Sequence, residues 1–239
     1  MKKFISFGGP TKNYHNTLNR ICKEAKEFEY FDEIIGFTEK DLMNDTDFWN
    51  KHEEFILNSH TGYGYWIWKP YLINRELEKM NEGDILVYAD AGCEINKNGK
   101  KRFLEYIDML NNNEKNYGLI SFELELEEYK YTKKKIFEYF DCNNDIKNNN
   151  QFIATTQIIK KSSHSSNIIK KWNDVSSIHE LINNEISENE NKEFISNRND
   201  QSIISILVKK YGSIKLKDET YFLNDEIAIN YPILAKRIK

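Results

Sequence analysis

Gly83-Asp84-Ile85-Leu86-Val87-Tyr88-Ala89-Asp90-Ala91-Gly92 decides the fold: an apolar run stops abruptly at one acidic residue followed by two small ones. A run this continuous suits a strand covered on both faces, as in a parallel sheet between helical layers. In open α/β sheets ligands gather beyond the carboxyl ends of the strands, so a carboxylate placed just after such a strand points to where a ligand sits. Asp90 is therefore the first candidate binding residue. Ala91 and Gly92 are small enough for a large ligand to approach the backbone. Asp and Gly are also ordinary turn residues, so taken alone the motif serves a turn equally well.

Outward from this strand, helical and extended patterns alternate. Lys3 to Phe7 reads as a first strand ending at Gly8-Gly9-Pro10, and Leu18, Ile21, Cys22, Ala25 and Phe28 recur at helical spacing. Ile34 to Phe37 predicts a second strand, Asp45 to Leu57 a helix, and Pro70 fits the first turn of a helix carrying Ile73, Leu77 and Met80. Phe103 to Leu110 follows as a helix and Gly118 to Phe122 as a strand. Further on, a helix is expected after Thr132, a strand over Phe152 to Ile159, and helices along Ile168 to Val175 and Ile203 to Tyr211. Asn183 to Glu193 is polar and acidic and reads as an exposed connection. The alternation predicts one α/β domain, with a mainly parallel sheet flanked by helices.

Composition narrows the function classes. Thirty-four basic against thirty-eight acidic residues leave a net charge of −4, so no global positive field draws in nucleic acid. No apolar run approaches the roughly 20 residues of a membrane span, and the apolar stretch at the start is too short for a signal peptide. Three widely spaced cysteines suggest neither a zinc site nor a disulfide scaffold, so a cytoplasmic protein is expected. Cys93 reads as a small buried residue, and the five histidines show no metal or triad spacing.

Gly62-Tyr63-Gly64-Tyr65-Trp66-Ile67-Trp68-Lys69-Pro70 changes the weight of the Asp90 motif. Aromatic faces such as Trp66 can stack on a base or a sugar ring, and Lys69 near a helix start can meet a phosphate. Together they suit a nucleotide sugar. Aromatic clusters are more often core than binding platform, so this segment too has a purely structural reading.

These two segments, with Arg198-Asn199-Asp200-Gln201-Ser202, resemble a family of nucleotide-sugar-dependent glycosyltransferases of the GT-A fold, which includes bacterial polysaccharide enzymes and a glycosyltransferase domain of large algal viruses. The resemblance spans most of the chain. It implies transfer of a sugar, usually from UDP, to a glycan or lipid-linked glycan in polysaccharide or glycoconjugate synthesis, with loose membrane contact open through the acceptor. By the same resemblance, residues 1–123 form the nucleotide-sugar half and 124–239 the acceptor half.

Asp90 then matches the first carboxylate of the Asp-x-Asp motif that holds Mn²⁺ or Mg²⁺ against the donor diphosphate. Gly92 stands where the second carboxylate would be, and Glu94 helps only if the turn folds back. A related histidine near the end of the fold has no match. Thr11 and Tyr14 are implied beside the base and ribose, Gln151, Thr156 and Gln201 near the donor sugar, and Thr132-Lys133 near the acceptor. Asp200 is the first choice for accepting the acceptor's proton and Glu123 the second, although Asp is also a favoured helix N-cap. Two rivals stand beside this reading. A sugar-phosphate nucleotidyltransferase needs a glycine-rich basic loop that Gly8-Gly9-Pro10-Thr11 matches poorly; a non-catalytic carbohydrate-binding protein would explain the incomplete metal motif.

Overall fold

A computed structural model describes residues 1–238. In chain order the strands are β1 (Lys2–Phe7), β2 (Glu33–Phe37), β3 (Ile85–Ala89), β4 (Glu94–Ile95), β5 (Leu119–Glu127), β6 (Asn150–Phe152), β7 (Thr156–Lys160), β8 (Ile214–Lys217) and β9 (Ile233–Leu234). Seven of them form one mixed sheet in the order β2-β1-β3-β7-β5-β6, with β8 also joined to β5. β1, β2 and β3 are mutually parallel; β7 runs against both β3 and β5, and β8 is parallel to β5. Thus β2, β1, β3, β5 and β8 point one way, and β6 and β7 the other.

β3 shows why its residues are apolar throughout. Leu86 and Tyr88 enter one core while Ile85, Val87 and Ala89 enter the other, as the two-residue period of a strand requires. The first core is closed by helices Thr46–Leu57, Trp68–Glu78, Ser163–Ser176 and Asp200–Tyr211, whose Trp49, Ile73, Trp172 and Leu207 are buried in it. The second is closed by helices Lys12–Glu27 and Lys100–Asn112, through Leu18, Ile21, Phe103 and Leu110. This sandwich fixes the carboxyl end of β3, and hence Asp90, at one edge of the sheet.

Three details differ from the sequence reading. The stretch Phe152 to Ile159 is not one strand: β6 pairs at Glu123 and β7 at Ile120, and residues 153–155 bulge between them. The bulge is used, since Thr155 carbonyl accepts the Asp90 amide at 2.9 Å. Asp200 is not an N-cap but the first helical residue, with Asn199 before it at φ 52°. Finally, β4 and β9 form a separate antiparallel pair, and β8 joins β5, so residues from the second half of the chain build both sheets. β8, Ile-Lys-Leu-Lys, does alternate apolar and charged residues with the period of a strand, although no strand was expected there, whereas the two-residue length of β4 and β9 leaves no periodic signal.

Candidate active site

The amino-terminal loop, the aromatic segment and the acidic turn surround one cleft of about 1420 Å³. Its walls include Gly8, Gly9, Pro10 and Tyr14 on one side, Thr61, Tyr63 and Trp66 on another, and Asp90, Ala91 and Gly92 on the floor. Gln201 and Arg198 come from the start of helix Asp200–Tyr211.

The aromatic wall is made by unusual backbone. Gly62, Tyr63, Gly64, Tyr65 and Trp66 all have positive φ, between 48° and 88°. This is a left-handed turn, closed by Tyr65 N–H to Thr61 carbonyl at 2.9 Å and Trp66 N–H to Gly62 carbonyl at 3.1 Å. Such a conformation costs roughly 1 to 2 kcal/mol for each non-glycine residue and is seldom extended beyond one. Its supports are visible: Ser59 Oγ accepts the Gly64 amide at 2.6 Å, and the Trp68 indole N–H reaches Gly62 carbonyl at 3.1 Å. Trp68 itself is buried and stacks on Phe7 with centroids 3.9 Å apart. Both tryptophans border the cleft, Trp66 partly exposed and Trp68 buried in the core behind it.

Beneath the floor lies a buried ion cluster. Lys69, in the first turn of helix Trp68–Glu78, places Nζ 3.1 Å from Asp90 Oδ1 and 3.0 Å from Asp200 Oδ2. Burial alone would drive its proton off, but Asp200 and Asp90 outweigh that and hold its pKa above the ordinary value. Burial raises the Asp200 carboxyl to about 6, with Lys69 opposing and Asp90 adding to the rise. Asp200 Oδ2 makes the ion pair without a well-aligned hydrogen bond. Tyr88 donates its hydroxyl to Asp90 Oδ1 at 2.5 Å. The Asp90 side chain is 30% exposed, whereas that of Asp200 is 5% exposed and lies under the floor rather than along the cleft.

A clamp holds the acidic turn. Arg20, on helix Lys12–Glu27, donates to Ala91 and Cys93 carbonyls at 2.7 Å each, and to Glu24 at 2.6 Å; Glu24 in turn accepts the Ile95 amide at 2.9 Å. Nothing in the sequence reading singled out Arg20. An arginine and glutamate at i, i+4 on an amphipathic helix look like a surface pair, and only the fold brings the turn to them. Asp218 was missed for a similar reason. It follows β8 as Asp90 follows β3, lines the same cleft, and has a carboxyl raised above its ordinary value by burial, against the lowering hydrogen bonds of Thr220.

The remaining expected residues are placed as follows. Tyr14 lines the cleft and is exposed; Thr11 caps helix Lys12–Glu27 at the rim without lining it. Gln201 donates to Gln151 Oε1 at 2.8 Å, but Gln151 is fully buried and spends its amide N–H groups on Glu128, Thr132 and the Tyr131 carbonyl. Thr156 is buried one position beyond the cleft-lining Thr155. Glu123 does not join the others. The strand alternation of β5 sends Leu124 and Leu126 to the large cleft and Glu123 to a second one of about 590 Å³, shared with Asp141, Lys209 and Lys215. Thr132 and Lys133 are both buried; the Lys133 ammonium lies among Asn183 Oδ1 at 2.7 Å and the Asn183 and Glu185 carbonyls, and burial lowers its pKa to about 8. Glu94 is paired with Lys236 at 2.9 Å. Cys93 is buried, and burial pushes its thiol far up, so it is not a thiolate at neutral pH.

No helix among the described residues is long and apolar enough to cross a membrane. No protein-family model and no curated protein sequence matches the chain. Solved structures similar to it include a glycosyltransferase involved in the glycosylation of the major capsid of PBCV-1, at 9% identity over 98% of this chain and 91% of that one, with a TM-score of 0.54. Mouse xyloside xylosyltransferase 1 aligns at 10% identity over 92% and 87% of the two chains with a TM-score of 0.48. The galactosyltransferase LgtC, in complex with donor and acceptor sugar analogues, aligns at 12% identity over 93% and 75% with a TM-score of 0.46. The first of these likenesses, spanning nearly all of both chains, shows that this chain shares the fold of that glycosyltransferase.

Proposed function

We propose that this chain is a glycosyltransferase, moving a sugar from a nucleoside diphosphate, UDP being the expected carrier, to a glycan or lipid-linked glycan acceptor. One observation carries the reading: Asp90, which lines the floor of a single cleft, is joined from beneath by the buried Lys69 and Asp200, the three coming from segments distant in sequence. The cleft's volume of about 1420 Å³ exceeds the roughly 300 to 1,000 Å³ of an ordinary small-molecule site, which leaves room for a donor and part of an acceptor.

In the transfer, the bond from the anomeric carbon to the diphosphate oxygen breaks while an acceptor oxygen bonds that carbon. The diphosphate leaves with the electron pair and the acceptor's proton passes to a base. Asp218, a cleft carboxylate with a raised pKa, suits the proton. Asp200, under the floor, acts by holding the Lys69 ammonium. Trp66 and Tyr14 offer aromatic faces to the base or sugar.

The Mn²⁺ or Mg²⁺ implied by the sequence resemblance meets a donor set that does not fit it. Asp90 Oδ1 already accepts from Tyr88 and lies 3.1 Å from the Lys69 ammonium, which repels a dication. Gly92 offers no second carboxylate, and the described residues bring together no group of three metal-ligating side chains.

The reading is tested by incubating the protein with a panel of UDP-sugars and measuring slow UDP release. Asp90→Ala is expected to abolish release, and Asp218→Asn to lower turnover at least a hundredfold with UDP affinity retained. Pyrophosphate formed from a nucleoside triphosphate would instead establish nucleotidyl transfer. A protein that binds sugars but performs neither reaction would be a binding module, and the proposal would fall.

A further inference from the structure

We infer that the leaving diphosphate is met by the cationic segment Lys236-Arg237 lying against the acidic turn, in the place where a second carboxylate would otherwise recruit a metal ion; this rests on the glycosyl-transfer reading above.

The placement follows from the β4–β9 pair. Glu94 is opposite Leu234 and Ile95 opposite Ile233, so the antiparallel course carries the residues after Leu234 back alongside those before Glu94. Ile238 N–H reaches Gly92 carbonyl at 2.9 Å. A Cβ built on Gly92 would lie 3.4 Å from Arg237 Cα and 3.5 Å from Ile238 carbonyl oxygen. That is ordinary contact for a methyl group, but a carboxylate reaching further competes with the segment for the same space. Gly92 and the segment thus replace the second carboxylate together: one gives up the anion, the other brings cations to the spot.

The charges of the cleft agree. Its acids are Asp90, Asp218 and Asp225, and its permanent cations are Arg198, Lys236 and Arg237. Lys69 is committed to two carboxylates below the floor, and Lys236 is held by Glu94. Arg237 is exposed and makes no ion pair among the described residues. Its backbone is fixed on both sides, by Lys236 N–H to Leu234 carbonyl at 2.9 Å and by the Ile238 bond to Gly92, with φ at 53° between them. A guanidinium presents a planar fork of donors that matches two phosphate oxygens at once. Arg237 is therefore placed to bind the diphosphate, and Lys236 to add its charge beside it. The gain is in the transition state, where negative charge grows on the leaving oxygen.

Calorimetry of UDP, uridine and pyrophosphate binding to the full chain, in EDTA and then in excess Mn²⁺, tests this. UDP is expected to bind in EDTA with an affinity that Mn²⁺ changes less than threefold, and to weaken as salt rises. Arg237→Ala should weaken UDP by about tenfold or more, with uridine unaffected, and Arg237→Lys should restore part of the loss. Gly92→Asp, which creates an Asp-x-Asp sequence and displaces the segment, should make UDP binding depend on Mn²⁺. UDP binding by the wild-type chain only with Mn²⁺ would overturn the inference and leave the glycosyltransferase reading standing, as would an Arg237→Ala variant of wild-type affinity and wild-type melting temperature. No binding of UDP or any other nucleoside diphosphate under either condition would overturn both.

Discussion

Two buried charge clusters in this protein invite comparison. Under the cleft, Lys69 is flanked by Asp90 and Asp200. On the other side of β6, Glu128 is fully buried and receives Thr132 and Ser205 hydroxyls, the Gln151 amide at 2.9 Å and the Lys209 ammonium at 2.6 Å. Both bury a lysine with carboxylate, yet they differ in completeness. The oxygens of Glu128 are saturated by four donors, two of them on helix Asp200–Tyr211, and it lines neither cleft. Asp200 lacks an aligned donor on one oxygen, its carboxyl is raised to about 6, and its neighbour Asp90 opens to the cleft. A saturated cluster locks helices together; an undersatisfied one beside a cavity keeps capacity for a ligand.

Three substitutions bear on this contrast. The largest effect is expected for Lys69→Met, which leaves two carboxylates facing each other: stability should fall by about 3 to 5 kcal/mol in chemical denaturation, and UDP release should cease. A stable, active Lys69→Met variant would show the two clusters to be the same kind of object. Glu128→Gln should cost about 2 kcal/mol by stranding Lys209, while leaving the UDP dissociation constant unchanged; altered UDP affinity would mean that the locking cluster reaches the site.

The smallest effect is a pH dependence. The folded carboxyl of Asp200 holds its proton to about pH 6 against an ordinary value of 3.8, so folding favours the protonated form. Its contribution to stability is complete below about pH 4 and is lost as pH rises towards 6. Denaturation curves at several pH values should show that decline in the wild type and a flatter profile in Asp200→Asn. Identical slopes would remove the raised pKa from the account.

How much of this was legible in the sequence varies with the range of the interaction. The apolar stretch of β3 and the stripe Ile203 to Val208 announced themselves because burial on a regular element imposes a period, and Asp90 and Lys69 were found because each adjoins such an element. That Asp200 lies beneath Lys69 was not readable, since its depth is set by packing of two helices far apart in the chain. Arg20, Asp218 and Arg237 were passed over for different reasons: Arg20 reaches the turn after Asp90 from about seventy residues away, Arg237 follows a strand of only two residues, and Asp218 follows the four-residue alternation of β8, which by itself says nothing of the cleft it borders. Gln151 and Lys133 were expected near the donor sugar and the acceptor only through the resemblance, whereas both side chains are spent inside the protein.

The left-handed turn at Gly62 to Trp66 sets a rule for how this wall of the cleft can diversify. Its path depends on Gly62, whose added Cβ would strike the Trp66 ring at 2.5 Å, and on Gly64, whose Cβ would meet Ile56 at 2.6 Å. Those two positions are closed to change, while Tyr63, carried by the same backbone, displays its ring at the cavity mouth. Any change in the surface of this wall is then made by exchanging the ring at Tyr63 on an unaltered mirror-image frame, a matter of decoration and not of loop length.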